Sequence, residues 1–332
     1  MKRLLPIALV AAAALLAGCS STEPGAQSTE VPDTSPVLTE EQIGNVTTDV
    51  NRVLEAVKTA DADALSPRVF GPALRMRVAA LELDGKSGGQ FPAGALSAPT
   101  NTSTVSAGVE WPRTILELTE IPTDGQTPLL KVIRQEGAQD PFKLWAWVRL
   151  LPGATVPATL SAEVGVKEGS GAAHSAQEVV SNYVQMAPAQ VGNAVVDVDD
   201  TFTAALATQV KSMTDSASAS GTVVSTLSAG EDGAVEIPTA EGGAIVVATL
   251  TQTAVFQRTV AGSTFNLGGS IGALLGENKK VEGSVTATWD ITVAFAVPSA
   301  VSGEKAKVIG AERVLRTVVA DPSTNPDWQA TQ

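Results

Sequence analysis

Cysteine, histidine and tyrosine each occur once in this 332-residue chain, and aromatic residues make up only 4% of it. With Cys19 alone, no intramolecular disulfide can form and no cysteine-rich metal site can be built. With His174 alone, the side chain that most often serves as a general base is nearly missing. Basic residues are also scarce: 22 Lys and Arg face 35 Asp and Glu, a formal net charge of -13. That balance excludes the basic patch that nucleic acid requires. It equally disfavours adhesion of the protein surface to anionic lipid head groups. The apolar run from Leu4 to Ala17 is too short to span a bilayer.

What is present begins at the N-terminus. Met1-Lys2-Arg3, the apolar run and the small residues Ala17-Gly18 have the layout of a secretory signal peptide. With Cys19 directly after Leu16-Ala17-Gly18, the segment resembles the lipobox of bacterial lipoproteins. The resemblance implies a signal peptide over 1–18, diacylglycerol on the Cys19 thiol, and a mature chain lipid-anchored to the outer face of the cytoplasmic membrane. A single acyl chain anchors only marginally, at about 0.8 kcal/mol per buried methylene, so two or more chains are needed. Loss of Lys2 and Arg3 would move the net charge to about -15. Residues 19–37, rich in Ser, Thr, Pro and Glu, have little to bury and read as a disordered tether.

Order is expected from Thr39. Thr39-Glu40-Glu41-Gln42 forms a capping-box signature, and Ile43, Val46, Val50, Val53, Leu54 and Val57 recur at helical spacing towards Ala60-Asp61. Ser66-Pro67 reads as the start of a second helix, broken at Gly71-Pro72. Lys86 to Thr104 reads as a long loop. Strands are expected at Arg113–Thr119, Leu129–Glu136 and Phe142–Leu151. After a low-complexity linker over 161–174, the order repeats. Ser175-Ala176-Gln177-Glu178 caps one helix, Asp199-Asp200 caps another, and strands follow at Thr222–Leu227, Ala244–Thr259, Gly283–Val297 and Lys305–Ala320. In the Gly283–Val297 strand the odd positions from Val285 to Val297 face in, while Thr286, Thr288, Asp290 and Thr292 face out.

The chain therefore reads as an α+β protein with two successive helix-then-antiparallel-sheet domains, 38–160 and 175–320, and a C-terminal tail over 321–332. That order resembles the NTF2-like (cystatin-related) cone fold. Four segments, Arg68-Val69-Phe70-Gly71-Pro72-Ala73-Leu74-Arg75, Trp111-Pro112-Arg113, the run from Lys143 to Gly153, and Gly242-Gly243-Ala244-Ile245-Val246-Val247, carry a further likeness. Through them most of the mature chain resembles a family of actinobacterial lipoproteins without an established activity.

Motifs that would carry chemistry each lack a required part. Gly268-Gly269-Ser270-Ile271-Gly272 matches the nucleophile-elbow pattern, but no histidine follows Ser270, so its stretch reads as a Gly-rich excursion. Gly85-Lys86-Ser87 lacks the leading glycine of a phosphate loop, since position 80 is Ala80. Ser302-Gly303-Glu304-Lys305 lacks its companion motifs and reads as a turn. Asp197, Asp199 and Asp200 fit helix capping better than metal binding. No catalytic residue, metal site or cofactor is expected.

The remaining candidates are Trp111, Arg113, Trp145, Trp147 and Arg149. With Trp145, Trp147 and Arg149 on one strand face, these could line an aromatic pocket with a basic rim. The expectation is a non-enzymatic lipoprotein of the cell envelope, attached to the membrane through Cys19, with a binding or scaffold role and an envelope protein as partner. A small-ligand-binding lipoprotein using the aromatic pocket is the alternative, and an NTF2-like hydrolase or isomerase the third reading.

Overall fold

The computed structural model describes residues 38–105, 111–159 and 171–329. The signal peptide, Cys19, the tether and most of the linker lie outside the described residues.

The first half opens with α1 (Glu40–Ala56), whose Thr39 cap accepts from the Gln42 amide while the Gln42 side chain answers the Thr39 amide. Ile43, Thr47, Val50 and Leu54 form its buried stripe. The helix stops at Ala56, short of the expected end, because Val57 turns to extended backbone. The next cap is Asp61, not Ser66: its carboxylate accepts from the Ala64 amide at 3.0 Å and starts α2 (Ala62–Leu65), with Ser66 closing that helix. Beyond it, Arg68 and Phe70 bond the backbone of Leu144 at 2.8 and 3.0 Å before α3 (Gly71–Ser87) begins.

Four antiparallel strands follow: β1 (Thr100–Val105), β2 (Arg113–Thr119), β3 (Leu129–Gln135) and β4 (Lys143–Leu150). Both α3 and β1 trim the loop expected over Lys86–Thr104. In the second half α4 (Ala176–Met186) is capped by Ser175 and α5 (Thr201–Ala217) by Asp200. Then come β5 (Gly221–Pro238), β6 (Ala244–Arg258), α6 (Gly269–Leu275), β7 (Ser284–Val297), β8 (Lys307–Asp321) and the short α7 (Pro326–Gln329). The stretch around Ser270 is thus helical, because Ile271, Leu274 and Leu275 pack into an apolar cluster with Phe256, Phe265 and Leu315.

Among the described residues each half contributes four strands to one curled antiparallel sheet in the order β1-β2-β3-β4-β8-β7-β6-β5. The β6–β7 ladder is long, running from Ala244↔Val297 to Gln257↔Ser284. The β4–β8 ladder is short, with Arg149↔Ala311 and Leu150↔Gly310 in register. Gly310 permits this seam, since a Cβ there would lie 2.8 Å from Val148 Cγ2 and 3.0 Å from the Arg149 carbonyl.

Apolar burial follows the curl. Helices α1 to α3 cover Ile115, Leu129, Ile133 and Leu144; α4 covers Val246, Ile291, Val293 and Phe295. Leu116, Leu130, Val132 and Val148 pack against Ile237, Ile245, Val247 and Ile309, joining strands of both halves. Each such side chain contributes about 1.5–3 kcal/mol when fully buried. Charge also crosses the junction: Arg75 of α3 pairs with Asp232 of β5 and lies 3.7 Å from Asp290 of β7. The outward assignment of Asp290 and Thr292 is thereby corrected. Asp290 is enclosed by Arg75 and Arg316, and Thr292 donates to the Trp147 carbonyl.

Candidate functional site

The five residues expected to share a pocket are divided by one extra residue and by the length of a strand. Leu144 pairs with Ile133 and Ala146 with Val132, so Trp145 is a bulge with no partner of its own on β3. The bulge puts Trp145 on the same side as Ala146, in the cluster that joins the halves, while Trp147 joins the helix-covered cluster. Trp145 and Trp147 therefore do not share a face. Both are buried, at 3% and 2% exposure. Trp145 lies under the Arg134 guanidinium, 5.4 Å from its ring centre, and against Gly71, whose φ of +56° a side chain would strain. Arg113 stacks on Trp111 at 4.1 Å, but it pairs with Gln135, whereas Arg149 pairs with Leu129 at the other end of β3. At roughly 3.3 Å per residue, that length of strand holds the two pairs about 20 Å apart.

Trp147 and Arg149 do converge, on a residue the sequence reading did not single out. Glu312 of β8 accepts from Trp147 Nε1 at 3.2 Å and lies 3.4 Å from Arg149 Nε. Arg149 Nη2 also donates to the Ala95 carbonyl at 3.0 Å and to Asp124 at 3.1 Å. Burial raises the Glu312 carboxyl above its ordinary range, against the opposing pull of Arg149 and the Trp147 hydrogen bond. Burial works the same way on Asp124, but the amides of Gln126 and Ala95 and the Arg149 guanidinium outweigh it and hold that carboxyl low. The available signal was the adjacent pair Glu312-Arg313, two charges inside the otherwise apolar run from Val308 to Leu315.

Beside this knot lies a cavity of about 410 Å³ between the halves. Ala80 and Leu83 of α3 and the segment from Gln90 to Gly94 form one side; Ser270, Trp289, Glu312 and Arg313 form the other. Arg313 stacks on Trp289 with its guanidinium carbon 4.1 Å from the ring centre, and its Nε donates to Gln252 Oε1 at 2.8 Å. Its Nη2 is sealed from solvent without a hydrogen-bond partner. Among the described residues no carboxylate forms an ion pair with it, and burial alone pushes this guanidinium down from its ordinary value, to about 9. Gln252 also lines a neighbouring cavity of about 240 Å³, between α5 and the sheet, and donates to Ser225 at 3.1 Å.

The other motifs occupy structural places. His174 Nδ1 sits 3.0 Å from Glu178 Oε1, so Glu178 meets the histidine, while its amide is capped by Ser175 at 3.2 Å. Asp200 accepts from the Thr203 amide and hydroxyl at 2.8 and 2.7 Å, and Asp197 accepts from the Asp199 amide at 3.1 Å. Among the described residues no three of His, Cys, Asp and Glu converge as metal ligands, and no helix is long and apolar enough to cross a membrane. Compared with protein-family models, curated proteins and solved structures, the chain matches none.

Proposed function

We propose that this chain is an extracytoplasmic lipoprotein, held to the membrane by diacylglycerol on Cys19, that binds a small ligand without transforming it. The observation that carries the binding reading is the cavity between α3 and β8, where an aromatic ring meets a guanidinium that has no carboxylate partner among the described residues. Its polar and aromatic lining is drawn from both halves of the chain, so the ligand site of this reading is the junction rather than the Trp111–Arg149 strand face. The repeated order of capped helices followed by antiparallel strands supports two NTF2-like units that share their sheet. A scaffold role is the second reading, favoured by the long edge strand β5, whose Val224 is 60% exposed. Purification of the mature protein from its own membranes tests both parts of the proposal. Mass spectrometry should find an acylated Cys19 as the first residue and a small molecule released on denaturation. An unmodified N-terminus elsewhere refutes the anchor, and a protein-only complex with no released molecule refutes the ligand reading in favour of the scaffold.

A further inference from the structure

Several guanidinium groups of this protein are matched with carboxylates, whereas Arg77, 4% exposed and without an ion pair among the described residues, donates to the Gly94 carbonyl at 2.8 Å. Arg75 has Asp232, Arg149 has Asp124 and Glu312, and Arg258 has Asp327. Arg313 likewise forms no ion pair among the described residues, and unlike Arg77 it lines a cavity and sits on an aromatic face. An enclosed charge without a counter-charge is unfavourable, and a side chain of similar length without charge would pack there at less cost. Resting on the ligand-binding reading above, we propose that the cavity takes a small organic anion, whose carboxylate or phosphate group meets the Arg313 guanidinium while its body lies against Trp289. A guanidinium matches both oxyanions through paired N–H donors, and stacking on Trp289 fixes the plane in which those donors lie. Gln252 holds Nε from the far side, which orients the group without neutralising it. Glu312 does not compete for the role of counter-ion, because Trp147 and Arg149 already hold its carboxylate. A cation is the wrong partner for a site whose free polar group is a guanidinium.

The test uses the full mature chain and three probes: succinate, inorganic phosphate and, as a neutral control, glucose. Titration calorimetry at low salt should show saturable binding of succinate or phosphate, and which of the two binds identifies the oxyanion. Arg313→Gln should weaken that binding about tenfold or more, as expected for loss of a charged hydrogen-bond partner. The same variant should have a ligand-free thermal midpoint at or above that of the parent, because the charge it removes had no counter-ion; a merely structural arginine would lower it. Anion affinity unchanged by Arg313→Gln, or a lowered midpoint with no anion binding to the parent chain, overturns the proposal. Glucose binding without anion binding also overturns it but leaves the ligand reading standing. If no probe binds and no small molecule co-purifies, both fail.

Discussion

Lys131 and Glu117 face each other on neighbouring strands with both side chains 0% exposed, their Nζ and Oε2 3.5 Å apart. Lys131 also donates to Asn51 Oδ1 at 2.9 Å, and Glu117 Oε1 accepts from Thr100 at 2.7 Å, which leaves Glu117 Oε2 without a hydrogen bond. Replacing Lys131 with Met keeps the volume and removes the cation that pairs with Glu117. A buried ion left alone in this way costs about 3–5 kcal/mol. Removing both charges, as Glu117→Met with Lys131→Met, should return stability to within about 1 kcal/mol of the parent or above it. Urea midpoints at pH 7, with unchanged slopes, provide the measurement. The reasoning is wrong if Lys131→Met alone costs less than about 1 kcal/mol at pH 7, or if the double variant is no better than the single one. The parent should differ at the alkaline end too: burial lowers the Lys131 pKa against the attraction of Glu117, so parental stability rises as pH climbs from that lowered pKa towards the ordinary 10.5, and Lys131→Met abolishes this rise.

Trp145→Ala and Trp147→Ala should each cost about 3–5 kcal/mol, since both rings are core; a thermal midpoint within a degree or two of the parent would contradict that placement. Gly310→Ala should destabilise by about 1–3 kcal/mol through the close approach of Val148 and the Arg149 carbonyl, and faster hydrogen exchange at Leu151, whose amide bonds Ile309 at 2.9 Å, would accompany it. Arg258, 1% exposed, donates to Asn325, Asp327 and the carbonyls of Glu282 and Ser263. Its hydrogen bond, together with the Gly262 amide, holds the Asp327 carboxyl below the usual range. That contribution is present above the unfolded aspartate pKa and lost as pH falls through the folded one, so Asp327→Asn should flatten acid-induced loosening of the C-terminal segment, read by limited proteolysis. Equal cleavage of parent and variant across that pH range would refute the tie.

Much of the fold was legible because its elements announce themselves locally. The Thr39–Gln42 box, the Asp200 cap and the alternation of β7 are signals contained in short windows, and the helices and strands lie where they point. β1 was hidden because Thr-Asn-Thr-Ser-Thr-Val has no apolar alternation; an exposed edge strand needs none. β5 exceeds its expected length because Gly and acidic residues at its irregularity between Ala229 and Ala234 look like a turn. The site was less legible for two reasons. One extra residue at Trp145 reverses the facing of everything before it, and periodicity counting has no means to see a bulge. The meeting of Trp147 and Arg149 with Glu312 depends on which strands become neighbours, which local pattern does not encode. Adjacent opposite charges within an apolar strand were the one local sign that β8 meets something polar.

The narrow β4–β8 seam has a consequence for how the protein is assembled. Arg149 and Ala311 must be brought together across about 160 residues of intervening chain, and closing a loop of that length costs about 4.5 kcal/mol in chain entropy before any constant contribution. The β2–β4 meander and the β5–β8 strands close through much shorter loops, which places docking of the two halves late in folding. The cavity arises at that step, since Ala80, Leu83 and Gly94 come from one side and Trp289 and Arg313 from the other. A ligand held there would slow the separation of the halves, so the time the seam stays closed becomes a readout of occupancy.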